Sequence, residues 1–250
     1  MRDDGNLLKA REYFFTKKNK NLHFLLKNRF NWMNNYIKNG DNVIELGSGA
    51  GLLKEFININ IKSSDLSDHE YFDYKNIDAC NINLPDKTFD VVISSNLIHH
   101  IAYPLKHFRE VHRILKPQGL YLVQDANCSF FLQLLCIIMN HGGFDCTIDV
   151  KSEKIPCSDP NDLFAENLAV PNLIFDHYYD FNKQLNFKFE LINNRFSEFF
   201  IFLNSGGVTA KTFYLPLNDY FLDIFLKLDK IFVKFHKIFA LQRSTVLKKL

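Results

Sequence analysis

Residues Val43–Phe56, VIELGSGAGLLKEF, constrain the fold more than any other stretch. An apolar pair, Val43-Ile44, runs into Glu45, and Gly47, Gly49 and Gly51 follow at alternate positions before Leu52-Leu53. This is the pattern of a buried strand that enters a tight turn and opens a helix. The turn needs residues without a Cβ, because the chain changes direction while its backbone comes close to a ligand. In the dinucleotide pattern G-x-G-x-x-G the third glycine comes three residues after the second. Here the interval is two, and Leu52 fills the place that pattern would use. A carboxylate two residues before the first glycine suits a ligand with a cationic amine better than one with a pyrophosphate.

Downstream residues fit a βαβ nucleotide site. Ile57–Ser64 reads as a second strand ending at Asp65, twenty residues after Glu45. That is where such a site places a carboxylate to accept from ribose hydroxyls. Asp68 is the alternative; Asp65 is preferred because it directly follows the apolar strand. Ile77-Asp78-Ala79-Cys80 and Leu84-Pro85 follow, then a buried-type strand, Phe89-Asp90-Val91-Val92-Ile93-Ser94. Ser95–Ile101 (SNLIHHI) leaves the carboxyl end of that strand, where open α/β sheets bind their ligands. Tyr103–Leu115 is an amphipathic helix with Pro104 in its first turn. Lys116–Gly119 stops it, and Leu120–Gln124 forms a fifth strand ending at Asp125.

Taken in order, E-x-G-x-G-x-G, then D-A, L-P, F-D-V-V-I-S and E-V-H-R-I-L-K-P-Q-G-L-Y-L-V-Q-D, Val43–Asp125 resembles the class I S-adenosylmethionine-dependent methyltransferases. The resemblance implies an α/β, Rossmann-like, doubly wound seven-stranded sheet with helices before it and a helical C-terminal extension. It implies S-adenosylmethionine as cofactor, held by Glu45, Gly47, Ser48, Gly49, Gly51, Asp65, Asp78, Ala79, Ser94 and Asn96, with Asp78 accepting from the adenine amine. Methyl transfer is an in-line displacement, so alignment of donor and acceptor supplies much of the rate. For a hydroxyl acceptor, a histidine assisted by a carboxylate is a suitable base. His99, His100 and Asp125 are the candidates, His99 preferred, although the L-H-H ending recurs in the family across unlike substrates and could equally cap a helix or orient the loop. His107 and His112 read as surface or packing residues, and His141 and His177 fall in the variable region.

Composition bounds the class. A formal net charge of +2 over 250 residues argues against a dedicated nucleic-acid binder. Five cysteines without a C-x-x-C pair suggest reduced thiols in a cytoplasmic protein, and no cluster has metal-ligand spacing, so no metal is expected. No signal peptide is evident, and the longest apolar run, Phe130–Met139, is too short to span a bilayer.

The expected organisation is an N-terminal helical segment (1–40), a methyltransferase domain (41–215) with a variable acceptor region at about 128–185, and an amphipathic basic helix (216–250). The first is read as helix packed on the sheet, with Arg29 and Trp32 as candidates for ligand contacts if it also closes over the ligand, as such helices often do in the resembled family. Ser129–Met139 and Leu173–Leu185 read as helices, and Phe187–Ile192 and Glu198–Leu203 as the last two strands. Glu166–Asp176 (ENLAVPNLIFD) and Leu203–Val208 (LNSGGV) resemble a subset of these enzymes encoded among bacterial surface-polysaccharide genes. That resemblance implies a glycan or lipid-linked saccharide as acceptor, methylated at a hydroxyl or terminal phosphate; a small metabolite such as a quinone is the alternative. Reading the chain as an oxidoreductase is disfavoured by the glycine spacing, and a non-catalytic S-adenosylmethionine-binding scaffold is the reading of another class. Phe221–Leu250 combines an aromatic-rich apolar face with lysines. Such a face suits peripheral contact with an anionic membrane, or else packing on the domain or in a homodimer.

Overall fold

A computed structural model describes residues 7–140, 142–162, 164–208 and 212–250. Two helices come first, α1 (Leu7–Lys17) and α2 (Lys20–Phe30), the second capped by the Asn19 side chain, which accepts from Leu22 N–H. The apolar residues of α2 fall at helical spacing, so Leu22, Leu25, Leu26 and Phe30 are buried together against Val43, Leu53 and Val91 on one face of the sheet. The chain then forms β1 (Val43–Leu46), β2 (Lys62–Ser64), β3 (Phe89–Ser95), α3 (Pro104–Ile114) and β4 (Leu115–Ala126). Leu105, Phe108, Val111 and Ile114 of α3 cover the other face. After β4 come α4 (Phe130–Met139), α5 (Val170–Phe175), α6 (Tyr178–Asn182), β5 (Phe189–Ser197), α7 (Phe200–Leu203), α8 (Asp219–Phe232) and β6 (Gln242–Lys249).

The strand order is β2-β1-β3-β4-β6-β5. The first four strands are parallel, and β6 runs antiparallel to both β4 and β5. β1 is buried along its whole length, as a parallel strand covered on both faces must be. The parallel strands all end on the side where the glycine turn, Asp65 and the His99–His100 segment emerge.

The doubly wound α/β architecture is the expected one, with four local differences. The sheet has six strands: where a third parallel strand was expected before Asp78, one bridging pair, Ser64 with Tyr74, is all that forms. The glycine turn leads into a four-residue 3-10 turn, Leu53–Phe56, in place of a full helix. Residues 198–203, expected to be a strand, begin with Glu198 in a left-handed conformation and continue as α7. The largest difference is at the C-terminus. Residues 216–250 are not one amphipathic helix, because helix stops at a 3-10 turn, Val233–Phe235, and β6 lies between β4 and β5. The apolar residues at 240–241 and 246–247 fit either period, and interior pairing with two strands decides for the strand. Its cations are accommodated: Arg243 reaches the Asp176 carboxylate and Pro171 O, and Lys249 donates to the carbonyls of His112 and Leu115.

Candidate active site

The glycine turn follows β1 directly. Gly47, Gly49 and Gly51 all have positive φ, between 52° and 67°. A Cβ at Gly47 would come within 2.6 Å of the Leu97 side chain, so Gly47 is needed for packing as well as conformation. Beside Gly49 the space is open: only Leu7 Cδ2, 3.8 Å away, lies near the position a Cβ would take. Gly49 N–H donates to Asp65 at 2.9 Å, and Tyr71 Oη donates to Gly49 O at 2.9 Å. Arg11 of α1 donates to Ala50 O at 3.0 Å and lies over the Tyr71 ring, so α1 borders the turn.

Glu45 is almost fully buried, and its Oε2 is a buried oxygen with no hydrogen-bond partner among the described residues. Burial, opposed by a hydrogen bond to Ser48 and increased by the charge of Asp65, pushes its carboxyl up to about 8. An orphaned carboxyl oxygen below an open glycine cradle fits a ligand that brings a cationic donor to this point, as the amine of S-adenosylmethionine would. Asp65 follows β2 as expected; its other oxygen accepts from Ser67 N–H and Oγ. Asp78 is exposed, and its Oδ1 accepts from Cys80 N–H in a local turn. Ala79 is tied beneath the loop by its carbonyl, which accepts from His107 Nδ1.

Four other residues are taken up by hydrogen bonds within the fold. Ser94 is fully buried, and its hydroxyl pairs with Tyr121 Oη at 2.8 Å. His107, read as a surface or packing residue, is the latter: buried, it links Ala79 O to Tyr121 Oη. Arg29 is bound to Glu198 by two hydrogen bonds, both side chains buried, which makes it a structural residue. Trp32 Nε1 donates to Gln124 Oε1, within a polar chain that continues through Gln242 to Asn96. Ser48 is buried in the turn and accepts from Ser64 N–H. His177 caps the start of α6, and His141 lies outside the described residues.

Across the mouth of β3 and β4 the expected partners meet. Asp125 is fully buried; Oδ1 accepts from His99 Nδ1 at 2.5 Å, and Oδ2 accepts from Ile98 N–H at 2.7 Å. The carboxylate thus fixes both the imidazole and the loop that carries it, and the free nitrogen of His99 is Nε2. That nitrogen lies 3.6 Å from a carboxylate oxygen of Glu166. Burial lowers the basicity of His99, but the charge and hydrogen bond of Asp125, with Glu166 beyond, raise its pKa above the ordinary imidazole value. His100 has the opposite environment. Its Nδ1 donates to Ala165 O at 2.9 Å, and burial beside His99 lowers it to about 4, so it stays neutral.

Glu166 was not expected at the site, and nothing in its spacing could have pointed to it. It arrives with a loop stitched to the histidine turn: Asn167 N–H donates to His99 O, and Ser158 Oγ donates to His100 O. An open surface pocket lined by Phe144, Pro156, Ser158 and Glu166 faces this loop. His99, His100 and Glu166 each offer a ligand-type atom within 4.8 Å of the others, so they are the described residues best placed to hold a cation.

Residues 44–123 match a family model described as a methyltransferase domain. That stretch is thus similar to a methyltransferase domain, and the α/β fold around it is the class I methyltransferase fold. It is similar to a ubiquinone biosynthesis O-methyltransferase of Ruegeria pomeroyi, 26% identical over 104 residues, 35% of this chain and 42% of that protein. This chain therefore covers less than half the length of that curated relative. In fold it is similar to an S-adenosylmethionine-dependent methyltransferase of Archaeoglobus fulgidus, with a TM-score of 0.55 at 16% identity over 95% of this chain and 99% of the other. A methyltransferase structure from Methanosarcina mazei gives a TM-score of 0.51 at 16% identity, over 88% of this chain and 97% of the other. The glycine turn and the unpartnered Glu45 oxygen fit S-adenosylmethionine, the cofactor of the methyltransferases this chain is similar to.

Proposed function

We propose that the protein is an O-methyltransferase whose acceptor is a hydroxyl on a glycan or glycolipid precursor carried by lipid. The observation that carries this reading is the His99–Asp125 pair at the mouth of β3 and β4. When bound, S-adenosylmethionine supplies an electrophilic methyl carbon on a sulfonium. Glu45 and the glycine turn would hold the amino-acid end of the cofactor, and Asp65 and Asp78 would hold the ribose and adenine. His99 Nε2 would take the proton of the acceptor hydroxyl, while Asp125 keeps Nδ1 protonated and stabilises the imidazolium. Glu166 adds a second negative charge beside that imidazolium. His100, held by Ala165 O, shapes the wall and remains neutral. The 142–169 loops form the acceptor side, as variable loops on a rigid scaffold commonly do.

The similarity to a ubiquinone biosynthesis O-methyltransferase favours a second reading, in which the acceptor is the hydroxyl of a membrane-borne aromatic such as a quinone precursor. Both acceptors are lipid-borne alcohols or phenols. Unpaired cysteines support action in a reducing compartment, on the cytoplasmic side of such a membrane. The test is methyl transfer from labelled S-adenosylmethionine to lipid-linked saccharides and, separately, to a lipophilic catechol. Cofactor binding with turnover on neither class would favour the non-catalytic scaffold and overturn this reading.

A further inference from the structure

We infer that α4 and the segment after α8 form one docking surface for an anionic lipid bilayer, set beside the acceptor mouth. The inference deepens the reading of a lipid-borne acceptor, and rests on it for that point alone. Two strips of apolar side chain face solvent. On α4, Phe130, Ile137 and Ile138 lie on one helical face, with Ile137 and Ile138 68% and 70% exposed. Beyond the middle of α8, Ile231, Phe235 and Ile238 form the second strip, with Phe235 62% exposed.

The strips meet. Phe130 N–H donates to Lys237 O at 2.9 Å and Phe131 N–H to Ile238 O at 3.0 Å, so α4 starts where the second strip ends. Stacking of Phe131 on Phe239 holds the junction from below, with ring centroids 5.2 Å apart. At its other end α4 reaches the acceptor mouth. A Cβ on Gly142 would lie 3.0 Å from Glu166 Oε1 and 3.5 Å from Cys136 Sγ, and Leu168 N–H donates to Gly143 O. A bilayer against α4 would thus present its surface next to Glu166 and His99.

Charge selects the occupant. Lys227, Lys230, Lys234 and Lys237 are all exposed along the second strip. The acid among them, Asp229, is turned inward, its carboxylate accepting from Phe199, Phe200 and Ile201 N–H. Apolar side chains flanked by unopposed lysines suit a headgroup layer, where the apolar face enters the acyl boundary and the ammonium groups stay at the phosphates. No described helix is long and apolar enough to cross a membrane, so the contact is peripheral. This corrects the expected location: Leu222, Phe225 and Leu226 of α8 pack on the domain, β6 is inside the sheet, and the exposed surface extends to α4.

Full-length protein should co-sediment with vesicles of phosphatidylglycerol in phosphatidylcholine, much less with phosphatidylcholine alone, and less as salt rises. Ile137→Ser with Ile138→Ser, and separately Lys234→Glu with Lys237→Glu, should each lower partitioning by about tenfold or more, since both apolar burial and charge contribute. The side chains are exposed, so an unchanged melting temperature would confirm folding. Unaltered cofactor affinity, together with unaltered transfer to a short-chain water-soluble acceptor, would separate loss of docking from loss of the site. Equal binding by wild type and both variants, or none at low salt, would overturn the proposal. So would loss of a solution dimer in the isoleucine variant without any vesicle binding, which would assign the surface to a second copy. Vesicle binding needs no turnover, so failure of the methyl-transfer reading would leave this measurement interpretable.

Discussion

Asp65 accepts a hydrogen bond from the backbone N–H of Gly49 at 2.9 Å, so the carboxylate at the end of β2 also pins the turn at the end of β1. In the proposed function the same carboxylate would also accept from the ribose. Losing a hydrogen-bonded acceptor of this kind costs about 1–3 kcal/mol. Asp65→Ala should weaken S-adenosylhomocysteine binding by about tenfold or more in calorimetry. If Asp68→Ala produced that loss and Asp65→Ala did not, the ribose assignment would be wrong.

Glu45 makes cofactor binding sensitive to pH. Its carboxyl sits at about 8, so at neutral pH the free protein holds it protonated. In the proposed function, pairing with the cofactor amine would require the carboxylate, so binding would release a proton. S-adenosylhomocysteine affinity should rise between pH 6 and 8, by up to about tenfold per unit, and level off above. Glu45→Gln should flatten that dependence. The folded pKa exceeds the ordinary 4.5, so the free protein should also lose stability as pH rises from about 4.5 through 8, relative to Glu45→Gln. A wild-type affinity independent of pH would place the amine elsewhere.

These assignments show where the sequence was legible. The strand, the glycine turn and the acids at Asp65, Asp78 and Asp125 carry their geometry in short-range spacing, and the sheet brings the strand ends together. Glu166 does not: it lies in a loop whose path depends on side-chain bonds such as Asn167 to Asp145 and Cys157. Residues 240–250 misled for another reason. The helical pattern that ends near Phe239 continues weakly into ALQRSTVLKKL, and only the pairing of β6 with β4 and β5 separates strand from helix. Arg29 was a candidate for a ligand contact beside the packing reading, and spacing could not choose because its partner, Glu198, is 169 residues away.

That Arg29–Glu198 pair should matter to stability and not to binding. It joins α2 to the end of β5, with both side chains almost fully buried. Removing one partner leaves a buried charge unpaired, at a cost of about 3–5 kcal/mol. Arg29→Met should therefore lower the denaturation midpoint substantially while the folded fraction keeps its cofactor affinity. Full stability in that variant would mean that Glu198 finds another partner or takes up a proton.

The cluster of His99, His100 and Glu166 invites a test with chelators. In the proposed mechanism the space between His99 Nε2 and Glu166, 3.6 Å across, holds a proton during turnover and no metal ion. Chelation should leave the rate of transfer unchanged. Loss of activity with a chelator, restored by added magnesium or zinc, would reassign the three residues as ligands.

His99 should show its role in both rate and pH profile. His99→Ala should reduce turnover by about 10²–10⁴-fold if the imidazole removes the acceptor proton, with S-adenosylhomocysteine affinity unchanged. The base must be neutral to act, so the rate should climb with pH through the pKa of His99. Burial lowers that pKa, but the charge and hydrogen bond of Asp125 and the charge of Glu166 outweigh it and place it above the ordinary 6.5. The acid limb should accordingly fall on the alkaline side of an ordinary histidine. Glu166→Gln removes one of the two charges that hold the proton, so it should move the limb to lower pH while leaving Asp125 to orient the ring. A limb that stays in place in Glu166→Gln but vanishes in His99→Ala would remove Glu166 from the reaction and keep His99. Equal rates for wild type and His99→Ala at every pH would mean that no base is needed, as for a phosphate acceptor that is already ionised.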